Sequence, residues 1–170
     1  MQSGFARTGR KFGYEHYGVK PDLICVGKGM GGGFPVSGVL GRSDVMDLPE
    51  VGNMSSTHSA NPLACAAGLA VIEEIELLDL VSETERKGQI LMDELCHIGE
   101  PYGKGLIASL IFKDAEFASR VAERCYQKGL LVVHTGRESI KIGPPLTIPD
   151  DALLEGVEVL CEAIAEVDSA

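Results

Sequence analysis

The chain has 170 residues, a formal net charge of −10, 45% hydrophobic residues and 21 glycines. That length supports one or two small domains with a real core, while the acidic balance and the lack of any Lys/Arg cluster argue against a nucleic-acid surface. No apolar run is long enough to span a membrane, and no signal-peptide pattern opens the chain.

Met1 to Gly18 reads as loop, punctuated by Gly4, Gly9, Gly13 and Gly18 and made locally basic by Arg7, Arg10 and Lys11. Its backbone polar groups must find partners elsewhere. Leu23–Val26 reads as a buried strand and Val36–Leu40 as another, bracketing a glycine-rich loop around Lys28. A polar stretch follows from Gly41 to Ala60. Asn61 then caps a helix with Pro62 at its first position, the order that helix starts favour. Leu63, Ala66, Ala67, Ala70, Ile72 and Ile75 form a small-residue face there, and Glu73, Glu74 and Glu76 mark solvent. A second helix runs from Ser82 to His97. Leu106–Ile111 reads as a strand, Ala115–Lys128 as a helix closed by Gly129, and Leu130–Val133 and Ser139–Ile142 as two further strands. After Pro144-Pro145, Thr147-Ile148-Pro149-Asp150 resembles a capping box that opens a last helix, with Leu153, Leu154, Val157, Leu160 and Ile164 as its buried stripe.

Cys25, Cys65, Cys96, Cys125 and Cys161 lack C-x-x-C or Cys/His metal spacing, and each falls in an apolar pattern. They predict buried free thiols in a reducing, cytoplasmic setting, with no metal site.

The stretch Gly27-Lys28-Gly29-Met30-Gly31-Gly32-Gly33 admits three readings. Gly27, Gly29 and Gly32 formally satisfy the dinucleotide fingerprint, but Phe34-Pro35 stands where a helix is required, and no P-loop spacing exists. A plain glycine-rich turn with an exposed lysine is the second. The third is a lysine that forms a Schiff base with an aldehyde cofactor, which calls for a desolvated site at the end of a strand. The flanking glycines would let a planar group approach the backbone closely.

Several motifs in one order narrow the choice: Gln2-Ser3-Gly4-Phe5-Ala6-Arg7-Thr8-Gly9, Lys20-Pro21-Asp22 leading to Gly27-Lys28-Gly29, Gly32-Gly33-Phe34-Pro35, Ser56-Thr57-His58-Ser59-Ala60-Asn61-Pro62, Gly129-Leu130-Leu131 and Pro144-Pro145-Leu146-Thr147-Ile148. As a set they resemble the class III pyridoxal-phosphate aminotransferases of the 4-aminobutyrate, ornithine and acetylornithine type. The resemblance implies an α/β chain of PLP fold type I (aspartate aminotransferase-like). Residues 1–82 would be the carboxyl-terminal part of the cofactor-binding large domain, and 83–170 a small α/β domain. It implies pyridoxal 5'-phosphate as cofactor and transamination between an amine or amino acid donor and a 2-oxo acid. A non-catalytic dimerisation remnant, or an aminomutase or decarboxylase on the same scaffold, remains the alternative.

Lys28 matches the lysine that forms the Schiff base and shuttles the proton. Gln2 matches the glutamine whose amide reaches the cofactor's phenolic oxygen. Thr57, with Ser56 beside it, matches the threonine that bonds the cofactor phosphate of the neighbouring subunit, which implies a homodimer. Lys141 stands three residues before Pro144-Pro145, where the family often has a carboxylate-binding arginine; lysine supplies charge without a bidentate fork. The family chain is longer, and its phosphate-holding turn, ring-stacking aromatic and ring-nitrogen aspartate would precede Met1. The 170 residues alone are therefore expected to be catalytically incompetent.

Overall fold

The computed structural model describes residues 1–169. Its front part begins with an irregular strip that crosses itself through a bridge between Gly4 and Phe12 and ends in a short 3-10 turn, Gly13–Tyr17. Strand β1 (Leu23–Val26) then pairs antiparallel with β2 (Gly38–Gly41). Between them lies a 3-10 turn, Lys28–Gly31. The sequence marks β1 as buried, but a two-stranded ribbon covers little, and Leu23, Val39 and Leu40 are all exposed. Helix α1 (Ser43–Met46) is a single turn.

Helix α2 (Pro62–Leu77) starts at the expected cap. The Asn61 side-chain Oδ1 accepts from the amides of Leu63 and Ala64, satisfying two donors that a helix start leaves open. Its covered face differs from the expected one: Ala64, Gly68, Val71 and Ile75 turn inward, whereas Leu63, Ala66, Ala70 and Ile72 are exposed. The reason is the neighbour. α2 packs against the Lys28–Gly31 turn, and a Cβ on Gly68 would lie 3.4 Å from the Met30 carbonyl oxygen. The helix backbone lies close to the turn at that point.

Helix α3 (Leu80–Leu95) leads into a sheet of four antiparallel strands in the order β3, β4, β6, β5. These are β3 (Pro101–Lys104), β4 (Ile107–Ile111), β5 (Val133–His134) and β6 (Ser139–Ile142). Helix α4 (Ala115–Gln127) intervenes, and α5 (Asp150–Asp168) closes the chain. Alternation along β4 turns Ala108 and Leu110 toward the helices, where they join Leu91, Leu95, Val121, Ile140 and Leu160 in one core. The opposite face carries Tyr102, Ser109 and Lys141 side by side, the partners being set by register.

Two expectations fail here for local reasons. Leu130 to Val132 does not pair; Leu130 closes the end of α4 by donating to the Cys125 carbonyl, and pairing begins only at Val133 opposite Lys141. Thr147 does not cap α5, whose first residue is Asp150 behind Pro149. Proline bars Ile148 from helical geometry, so the helix cannot reach back to the threonine.

β3 and β4 are joined by a two-residue turn with Gly105 at φ +56°, the left-handed geometry tight hairpins favour. A Cβ on Gly88 of α3 would stand 2.4 Å from the Gly105 Cα, so two backbones meet here with no side chain between them. The variant Gly88→Ala is expected to destabilise the chain by about 1–3 kcal/mol through overpacking against immovable backbone, read as a lower urea midpoint at unchanged slope.

Arg86 ties α3 to the start of α5. Its Nη1 and Nη2 donate to the two Asp150 carboxylate oxygens at 2.8 Å, and Nη2 also donates to Glu83 at 3.0 Å. Hydrogen bonding to Arg86 holds both carboxyls below their ordinary values of 3.8 and 4.5. Depressed values mean the contribution is complete above the ordinary carboxylate range and is lost as pH falls through the lowered ones. Asp150→Asn should therefore lower the melting temperature near neutral pH and converge on the parent protein in strong acid.

Candidate active site

Lys28 follows β1 directly and opens the 3-10 turn in a left-handed conformation, φ +58°, which non-glycine residues adopt at a cost. Phe5 and Ala6 share that geometry, with φ of 52° and 65°. Phe5 and Lys28 line one hollow, and backbone strain of this kind clusters at functional sites. Nothing in the sequence singles out Phe5 or Ala6, since neither is a residue type that favours this geometry.

The hollow is a cleft of about 360 Å³. Gln2, Phe5 and Arg7 line it from the first strip, Lys28 and Gly29 from the turn, and Val71 and Ile75 from α2. The far wall is Ile107, Lys141 and Gly143. The structure thus brings Gln2, Lys28 and Lys141 together, although they are far apart in sequence. Lys28 is exposed, which differs from the desolvated setting expected of it, while Lys141 is half-buried in the centre of its sheet. Among the described residues no carboxylate lies within ion-pair distance of either lysine.

Arg7 was legible only as part of a basic loop. Its Nη1 donates to the carbonyls of Leu106 at 2.9 Å and Pro144 at 2.5 Å, while its own carbonyl accepts from the Leu106 amide at 3.0 Å. Burial lowers its pKa from the ordinary guanidinium value. Here are the partners that the first strip's backbone required.

Ser56 and Thr57 lie outside the cleft, exposed in a turned segment ahead of α2. The Ser56 carbonyl accepts from the amide and hydroxyl of Ser59. Asn61, rather than either hydroxyl, occupies the donors at the start of α2.

A family model, "Aminotransferase class-III", matches residues 1–164. The chain belongs to the class III aminotransferase family. A leucine/methionine racemase from Thermococcus litoralis is 43% identical over 99% of this class III chain, which covers 41% of that protein. A 4-aminobutyrate aminotransferase from Mycobacterium tuberculosis is 37% identical over 98% of this chain, again with 41% of the relative covered. Among solved structures, an acetylornithine aminotransferase from Elizabethkingia anophelis superimposes with a TM-score of 0.90 at 31% identity, spanning 97% of this chain and 44% of that one. The arrangement of helices and sheet is that of fold type I in part, and the class III chain spans well under half the length of these relatives.

The thiols take no part in the cleft, and the expectation that all are buried is overturned. Cys25, Cys65, Cys96 and Cys161 are exposed, and only Cys125 is buried. An apolar neighbourhood in sequence does not say which side of a strand or helix a residue occupies. Desolvation pushes the Cys125 thiol up to about 11, so it stays protonated and unreactive near neutral pH. Titration of the native chain with a thiol reagent should count the four exposed cysteines at once and Cys125 only after unfolding; prompt reaction of Cys125 would contradict its burial.

Proposed function

We propose that this chain supplies the lysine-bearing part of a pyridoxal 5'-phosphate-dependent transaminase site, acting on an amine or amino acid donor and a 2-oxo acid. The observation that carries the proposal is the convergence of Gln2, Lys28 and Lys141 on one cleft. The residues suit the cofactor. Lys28 is accessible, and a Cβ built on Gly29 would have its nearest neighbour, Phe5 Cβ, at 4.0 Å, which leaves room over the turn for a flat ring. When bound, the cofactor supplies an aldehyde carbon and an electron-withdrawing ring that stabilises negative charge on the substrate's α-carbon.

Lys28 Nζ would hold the cofactor through its aldehyde carbon and would take and return the proton of the substrate's α-carbon. The Gln2 amide N–H would donate to the oxygen substituent of the ring. The Lys141 ammonium attracts the substrate carboxylate from the opposite wall as a point charge rather than a fork. Ser56 and Thr57, exposed and away from their own cleft, would give their hydroxyls to the phosphate held by a second copy, so a homodimer is part of the proposal. So is the division at residue 82, with 1–82 carrying Lys28 and 83–170 carrying Lys141. A reducing cytoplasm is the proposed setting; no helix among the described residues is long and apolar enough to cross a membrane.

A second reading is racemisation, favoured by the 43% identity to a relative named for that reaction and by two lysines on one cleft. Lys28 would remove the α-proton and Lys141 would deliver one from the other wall.

Incubation of the chain with pyridoxal 5'-phosphate, borohydride reduction and peptide mapping should place the label on Lys28, and Lys28→Ala should lose it; a label on another lysine overturns the proposal. The 170 residues alone are expected to release no 2-oxo acid, because an exposed lysine lacks the enclosed setting the chemistry needs. In a polypeptide extended to the relatives' length, consumption of 2-oxo acid identifies transamination. Inversion of an amino acid without that consumption identifies racemisation.

A further inference from the structure

The gap between Lys28 and Lys141 decides what the cleft can accept, and the two lysines stand on different elements. Lys28 sits on the turn supported by α2, and Lys141 on β6. A side chain that lines the cleft also bridges the two sides. Arg7 follows Gln2, Gly4 and Phe5 along the strip that lines the Lys28 side. Its Nη1 reaches Pro144 in the loop just past Lys141, and Leu106 in the β3–β4 turn. The strip is itself wedged in place. A Cβ on Gly105 would stand 2.6 Å from the Thr8 carbonyl carbon, one on Gly9 would stand 3.0 Å from the Glu85 Cα, and Thr8 is buried with its carbonyl and hydroxyl both 3.0 Å from His16 Nε2.

We propose that Arg7 is a positioning residue which, by bridging the Leu106 and Pro144 carbonyls, sets the distance between the Lys28 and Lys141 walls of the cleft. The proposal rests on the functional reading above for its meaning, but its geometry stands apart from any cofactor. A guanidinium suits the task because the two N–H bonds of Nη1 lie at fixed directions in the guanidinium plane and hold two acceptors in one geometry, whereas an ammonium rotates freely on a flexible stem. Substrate reach would then be governed from a side chain that makes no contact with the reacting atoms, and small displacements at such a distance have large effects on reaction rates.

The test uses the 170-residue chain and amine-reactive cross-linkers of graded spacer length, with Lys28–Lys141 cross-links quantified by mass spectrometry. The parent chain should show one preferred spacer. Arg7→Met should spread the yield over several spacers, Arg7→Lys should restore the preference in part, and Arg10→Met, on the same strip but paired with Glu85 at the surface, should match the parent. A parent-like profile in folded Arg7→Met overturns the proposal. If that variant does not fold, Arg7→Lys decides: a broadened profile supports the proposal and a profile identical to the parent overturns it. A side chain needed only for stability would lower the melting temperature and leave the spacer profile of the folded chain alone. Borohydride labelling of Lys28, run in parallel, reports on the cofactor reading separately, so either can fail without the other.

Discussion

Backbone contact between Gly88 and Gly105 is the constraint on which the rest of the arrangement depends. With no side chain between them, α3 rests directly on the β3–β4 turn. Gly105 in turn meets the backbone of Arg7, Thr8 and Gly9, so three segments distant in sequence pass through one small volume. Larger residues at any of these points would push the strip away, and with it Gln2 and Phe5. The cleft therefore owes its shape to glycines that do not line it, Gly88, Gly105 and Gly9, as much as to the residues that do.

The electrostatics of the cleft run against those of the chain. The molecule carries a formal charge of −10, yet Arg7, Lys28 and Lys141 line the cleft and Glu74 is the acidic residue among its lining. A basic hollow on an acidic body concentrates its field at the opening, which favours small anions such as amino and oxo acids over large polyanions. The ion pairs elsewhere, among them exposed Arg86 with Asp150 and half-buried Lys128 with exposed Glu162 and Glu166, join helices at the surface. Their net worth is small beside the apolar core.

Much of this was legible in the sequence where one local signal decides the outcome. The lysine among glycines, the Asn61-Pro62 start of α2 and the buried stripe of α5, apart from Leu154, which is exposed, each have their cause within a few residues. What escaped has its cause elsewhere. β3 was missed because proline and glycine are poor strand formers, and only pairing with β4 makes Pro101 and Gly103 part of a strand. The covered face of α2 was misplaced because it is chosen by the Lys28–Gly31 turn, not by the size of its own side chains. Four cysteines were assigned to the interior on composition alone. Arg7 looked like solvent-facing charge, since the carbonyls that engage it lie 99 and 137 residues further on.

The β1–β2 ribbon has one further implication, for the behaviour of the polypeptide in solution. Among the described residues each of its strands pairs on one side only, leaving alternate amides and carbonyls on the outer margins outside the ladder, next to exposed Leu23, Val39 and Leu40. Such margins template the addition of strands from other molecules. The ribbon is thus the place where concentrated samples of the chain would begin to self-assemble, and a charged residue introduced at Val39 is the simplest way to keep them dispersed.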